Sequence, residues 1–273
     1  MNHQHCSTTF TGLFFALTLT SNLHAITGCT NAYLQGSYGG QLSGRAAAIA
    51  PLSAKSSPAS PQLGLTRLVF DGQGTLSGSA TFDATATANR SQITGTYAVN
   101  ADCTVSLTLT DSVAGPQNFN GVLVSGGDRV YVAQIDSAAP FSGSLERARA
   151  LCTAADFAGS YGFRRSGAAL AASAVDRTAA AAPNSDSVGL INADGVGSFS
   201  LIESIAGSGS AGWNLSTGAY TVAEDCSVTL TFDSPAGASG SAVIQGTLTS
   251  NRNGLFTIET RSSVPVAGSF SVQ

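Results

Sequence analysis

Hydrophobic and polar residues alternate along much of this chain. Residues 103–110 read CTVSLTLT, which puts Val105, Leu107 and Leu109 on one face. CSVTLTFD at 226–233 does the same with Val228, Leu230 and Phe232. In TLSGSATF, residues 75–82, the set is Leu76, Gly78, Ala80 and Phe82. A period of two marks a β-strand with one buried face, because successive side chains of an extended backbone point to opposite sides. Turn chemistry separates the runs: DGQG at 71–74, VNAD at 99–102, SGGD at 125–128 and DSAAP at 136–140. Glycine there supplies positive φ, and Asp bonds the backbone just ahead of it. The pattern predicts about eight strands in the first half, near 37–43, 65–71, 74–82, 92–100, 103–110, 118–125, 129–136 and 139–146. The second half repeats the order.

Short turns between alternating strands favour antiparallel pairing of neighbours. A meander of eight tends to close, since closure removes exposed edges. A barrel of that size has a lumen that side chains fill, or one that holds a single small ligand. Only one connection per half is long: residues 45–63 in the first and 168–187 in the second, both rich in Ala, Ser and Pro. Each reads either as a hairpin tip or as a lid over the barrel mouth.

The two halves are copies. Shifting the sequence by 123 residues lays Cys29 on Cys152, GSY at 36–38 on GSY at 159–161, and DGQG on DGVG at 194–197. TGTYAVNADC at 94–103 falls on TGAYTVAEDC at 217–226. After a slip of two residues NGVLVS (120–125) meets QGTLTS (245–250), and PFSGSL (140–145) meets PVAGSF (265–270). The register of Gly, Tyr and Cys over this length identifies an internal duplication. The link between copies, ERARALCTAADF at 146–157, is short and poor in Gly and Pro, so the barrels are expected to touch.

Each copy holds two cysteines 74 residues apart, which predicts the disulfides Cys29–Cys103 and Cys152–Cys226. That framework fits an exported chain. LFFALTLT at 13–20 followed by SNLHA at 21–25 reads as a secretory signal cleaved after Ala25. ITGC at 26–29 offers a rival, lipidation at Cys29, but a lipid there would consume a disulfide partner. The expected organisation is a signal peptide over 1–25, one barrel over 26–147 and a second over 148–273, in a secreted or periplasmic protein.

Charge and composition narrow the chemistry. Charged residues make up 10% and the net charge is −4, so no basic surface exists for nucleic acid. No apolar run reaches the ~18–20 residues of a membrane helix. Cleavage after Ala25 would remove His3, His5 and His24, all three histidines. The remaining chain would have no imidazole for a Ser–His–Asp site or a histidine-bound metal. No cofactor is expected, and no catalytic residue stands out. Asp71, Asp102, Asp194 and Asp225 precede turns and are expected to cap them. The sequons at 89–91 and 214–216 would matter only in a eukaryotic secretory route.

Glu203 breaks the pattern. Its repeat equivalent is Ala80, on the face assigned to the lumen, beside Phe199, Leu201 and Ile205. A buried carboxylate needs a partner. Tyr161, Phe163 and Arg165 share one face of the first strand of the second copy. Tyr161, Arg165 and Glu203 are therefore the candidate ligand-binding residues, with Arg165–Glu203 as a polar anchor that the first copy lacks. The competing reading turns Glu203 to water at a strand end.

The stretches DFAGSYGF (156–163) and YLQGSYGG (33–40) resemble the G-x-W strand that opens lipocalin-type barrels, with Tyr in place of Trp. The pattern GSYG … FDGQG … TGTYAVNADC … SGSL resembles uncharacterised exported bacterial proteins with small β-barrel repeats. The resemblance implies a calycin-like barrel and a small hydrophobic ligand, and carries over no catalytic residue. The expected protein is all-β, two tandem antiparallel eight-stranded up-and-down barrels, each closed by one disulfide. Its expected role is non-catalytic: binding a small apolar or amphipathic molecule in a lumen, or serving as a structural component. A histidine-free cyclase or isomerase and a cell-surface adhesion repeat are the alternatives.

Overall fold

The computed structural model describes residues 28–45, 61–83, 88–137, 140–167, 186–205, 213–233, 243–249, 254–259 and 266–273. The expected signal peptide at 1–25 and most of both long connections lie outside these residues. Two rings of strands form. The first contains β1 (Gln35–Arg45), β2 (Pro61–Asp71), β3 (Thr75–Asp83), β4 (Ala88–Val99), β5 (Thr104–Asp111), β6 (Gly115–Val124), β7 (Arg129–Gln134) and β8 (Ser142–Arg147). The second contains β9 (Gly159–Gly167), β10 (Ser187–Ala193), β11 (Ser198–Ile205), β12 (Asn214–Val222), β13 (Ser227–Phe232), β14 (Val243–Thr249), β15 (Gly254–Glu259) and β16 (Val266–Val272).

Each ring is a closed antiparallel barrel in chain order. The first closes through β1 and β8, Tyr38 opposite Arg147 through Ser43 opposite Ser142. The second closes through β9 and β16, Tyr161 opposite Val272 through Gly167 opposite Val266. The alternation in the sequence becomes alternation in burial: β5 runs exposed–buried throughout, with Val105, Leu107 and Leu109 inside. The first long connection is shorter than its composition implies. β1 continues through Arg45 and β2 starts at Pro61, and these two residues pair. Whether 46–60 and 168–185 form lids or hairpin tips falls outside the described residues.

The ten-residue motif that occurs twice has a packing cause. A Cβ on Gly95 would lie 2.3 Å from the carbonyl oxygen of Thr108, and one on Gly218 would lie 2.2 Å from that of Thr231. Only glycine lets β4 and β12 approach their neighbours this closely. Two residues on, Tyr97 and Tyr220 reach into one end of each barrel. Tyr97 Oη donates to the Leu34 carbonyl at 2.8 Å, and Tyr220 Oη to that of Ala154 at 3.2 Å. Those carbonyls belong to short segments containing 3-10 turns, Asn31–Tyr33 and Ala154–Phe157, which stopper the barrels with the fully buried Leu34 and Phe157. The motif ends in Cys103 and Cys226, both with positive φ (67° and 63°), at turns that bring them to Cys29 and Cys152. The Cα atoms of the two disulfides are 5.0 and 4.9 Å apart.

The barrels pack against each other. Outward-facing Leu63 and Leu65 of β2 meet Ile258 of β15, with Phe256 and Ala267 alongside. Gln41 Nε2 donates across the seam to the carbonyls of Thr257 (2.9 Å) and Gly268 (3.2 Å). Arg90 pairs with Asp225 at 2.8 Å.

Candidate functional site

Both barrel interiors are packed. Tyr38, Phe70, Tyr97, Leu107, Phe119 and Val130 belong to the core of the first, with Tyr38–Phe70 and Phe70–Tyr97 edge to face at 5.2 and 5.0 Å. Phe157, Tyr161, Phe163, Ile191, Leu230 and Phe270 do the same in the second, where Phe163 stacks on Phe270 at 5.1 Å. Side chains thus occupy the space that a lumen ligand would take. A small barrel gains stability this way, each buried large apolar side chain being worth roughly 1.5–3 kcal/mol.

The three predicted ligand residues separate into two places. Arg165 and Glu203 form a buried ion pair at the end of the second barrel remote from the disulfide. Arg165 Nε also donates to Ser187 Oγ at 3.2 Å, and its guanidinium lies 5.7 Å from the Phe163 ring centre. Glu203 therefore faces inward, not toward water. The first barrel holds Leu42 and Ala80 at the equivalent positions, both buried. Tyr161 lies at the other end. It stacks on Phe157 at 4.9 Å and donates to the Ala158 carbonyl at 3.3 Å, and burial pushes its phenol above the usual range. It belongs to the aromatic stopper and is not beside the ion pair.

The acidic residues before turns act on their own backbone. Asp71 Oδ1 accepts from the amides of Gln73, Gly74 and Thr75 at 2.7, 2.8 and 2.9 Å. Asp194 repeats the arrangement with Val196, Gly197 and Ser198 at 2.8, 2.9 and 2.9 Å. Asp102 and Asp225 each accept from the amide two residues ahead, at 3.0 Å. Hydrogen bonds to the ionised form hold all four below the ordinary carboxylate range; for Asp225 they outweigh an opposing effect of burial. Asp111, unremarked in the sequence, is a buried counterpart: it accepts from Ser91 Oγ at 2.7 Å and from the amides of Val113 (2.7 Å) and Ala114 (3.0 Å). Its position at the inward phase of β5 is the signal that would have found it. Among the described residues, no group of three or more His, Cys, Asp or Glu side chains comes together as a metal site.

A further cleft opens between the barrels. It encloses about 150 Å³ and is lined by Arg67, Ser79, Arg90, Asp225, Gln245 and Thr247, among others. Arg67 Nη2 donates to the carbonyls of Arg149 and Ala150, both at 3.2 Å. Its Nη1 and the Thr247 hydroxyl are buried without a partner. Burial lowers the Arg67 pKa, opposed by Asp225. Sequence reasoning missed this cleft because its two walls come from different repeats. Its trace is Arg67 and Arg90 at outward positions of strands in a chain with few charges.

The fold defines a protein of two tandem closed β-barrels, and its two disulfides place it in an oxidising extracellular or periplasmic setting. Among the described residues no helix is long and apolar enough to cross a membrane. No family model and no curated protein matches the chain. Among solved structures the chain is similar to the Myxococcus xanthus hemagglutinin, crystallised in complex with a3,a6-mannopentaose. The identity is 11%, the match covers 85% of this chain and 99% of that one, and the TM-score is 0.16.

Proposed function

We propose that this is a non-catalytic extracytoplasmic module that makes its contacts through the outer faces of its barrels, in a structural or adhesive role. The packed interiors carry this reading. Apolar side chains that find no place inside stand on the outside instead, among them Val122, Tyr131, Val188 and Trp213. A fluorescent fatty-acid analogue titrated into the disulfide-bonded protein tests it. The expected result is no saturable uptake. Saturable binding of one or two probes per chain, lost on filling a lumen by Ala80→Leu, would restore the lumen as the site.

The unpartnered Arg67 Nη1 and Thr247 Oγ1 favour a second reading, in which the inter-barrel cleft holds a small acceptor-bearing molecule such as a carboxylate. A cavity of about 150 Å³ takes a guest of roughly benzene size. Two guanidiniums against one carboxylate give it a positive balance. Thermal-shift screening against small carboxylates tests this reading. A stabilisation that survives Arg67→Met would count against it.

A further inference from the structure

The contact between the barrels joins two unlike faces. The first barrel offers the outside of β1 and β2; the second offers β14 and β15, the repeat equivalents of β6 and β7. Each face therefore has a twin elsewhere on the chain. The twin of β1–β2 is β9–β10, and the twin of β14–β15 is β6–β7. In a ring of eight, the β1–β2 and β6–β7 faces share no strand and are centred three strands apart, about 135° round the barrel, so the used and unused faces look in different directions.

The twins keep part of what makes the existing contact: Val188 stands at the place of Leu65, whereas Asp186 and Ala133 stand at those of Leu63 and Ile258. Gly39 is the seat on which Thr247 rests: a Cβ there would lie 2.9 Å from Thr247 Cγ2 and Oγ1. The corresponding residues are Gly162, on the β9 face, and Val122, on the β6 face. Valine has the branched shape of threonine, and Val122 is 41% exposed. Beside Thr247, cross-strand Phe256 has as its twin Tyr131, which is opposite Val122 and 48% exposed. Gln41 spans the seam to the carbonyls of Thr257 and Gly268. Its twin is the exposed Arg164, a longer donor, and the matching carbonyls are those of Val132 and Gly143.

The clearest change lies along one cross-strand row. In the first barrel it reads Gly39, Arg67, Ser79, Gln92. In the second it reads Gly162, Leu190, Ile202, Leu215. A polar row has become apolar and stays uncovered, Leu215 being 72% exposed and nearby Trp213 65%. A shallow groove of about 520 Å³ runs over Gly162, Leu190, Ile202 and Trp213. Contiguous exposed apolar surface of this kind marks an interaction site. Closed barrels have no free sheet edge, so association has to be face to face.

We infer that the occupant is a second copy of this chain, the β9–β10 face of one molecule seating on the β6–β7 face of the next. Unlike faces joined in this way repeat the intrachain contact and build a head-to-tail assembly that ends only by closing into a ring. The inference deepens the outer-surface reading given above. A monomeric wild type would end it without touching that reading, and uptake of an apolar probe in the lumens would do the reverse.

Sedimentation velocity on the disulfide-bonded chain over a concentration series is the test, with two variants. Val122→Asp disables one face; Val188→Asp with Ile202→Asp disables the other. The wild type should grow beyond two chains as concentration rises. Each variant alone should lose association on the order of tenfold or more. Mixed in equal amounts, the two variants should form pairs that stop at two chains, because one intact face of each kind remains. That pairing also shows that both variants are folded. A wild type that stays monomeric, an assembly indifferent to either variant, or one that depends on only one of the two faces would overturn the inference.

Discussion

Replacing Glu203 alone should destabilise the second barrel severely, whereas replacing Glu203 and Arg165 together should not. The ion pair is almost dry: the Arg165 and Glu203 side chains retain 12% and 10% of their exposure. A surface pair would be worth about 0–1 kcal/mol, but a buried charge left without its partner costs about 3–5 kcal/mol. Glu203→Leu leaves the Arg165 guanidinium buried without its carboxylate, beside Ser187 Oγ and the face of Phe163. We expect a loss near the lower end, about 3 kcal/mol. Arg165→Met combined with Glu203→Leu removes both charges and keeps similar volume. Such exchanges are often neutral or stabilising, and the first barrel already has an apolar pair, Leu42 and Ala80, at these positions. The double variant should fall within about 1 kcal/mol of wild type, a coupling of about 2 kcal/mol or more in the cycle. Trp213, the single tryptophan, lies just ahead of β12 and reports the second barrel selectively in urea unfolding. With a slope of about 1.5 kcal/mol/M, the single variant should move the midpoint by about 2 M. A Glu203→Leu midpoint within measurement error of wild type would refute the reasoning, as would a double variant as damaged as the sum of the singles.

Three further outcomes follow from the same geometry. Cys152→Ser with Cys226→Ser opens a loop of 74 residues and should cost the second barrel about 4.5 kcal/mol on the chain-entropy relation; a loss below about 1 kcal/mol, followed by Trp213 fluorescence, would argue against the staple. Asp71, Asp102, Asp194 and Asp225 are held below the ordinary carboxylate range, so their contribution is present above about pH 4 and is lost as pH falls through their lower folded values; melting temperature should hold from neutral to about pH 5 and drop below about pH 4, and Asp71→Asn with Asp194→Asn should flatten that drop. Burial pushes the Tyr38 phenol up to about 12, so it stabilises the fold below about pH 10 and loses that contribution as pH rises toward its folded value; Tyr97, Tyr161 and Tyr220 are raised by burial too, and absorbance titration of Tyr38→Phe should show one late-titrating phenol fewer than wild type.

The sequence by itself determined the strands, their closure and the pairing of the cysteines. These depend on local rules: a two-residue period, turn residues with a fixed φ preference, and a repeat that makes equal spacing informative. It also located the Arg165–Glu203 pair, because the first copy supplies an apolar reference at the same positions. Only the tertiary structure decided that the lumens are full, since the volume inside a barrel depends on how the side chains of eight strands meet at once. It also moved Tyr161 to the stopper end, because two residues sharing a strand face can still lie about 13 Å apart along it. The seam between the barrels was out of reach of any periodicity: Gly39 and Thr247 are 208 positions apart, and nothing local in the chain records which outer faces will touch.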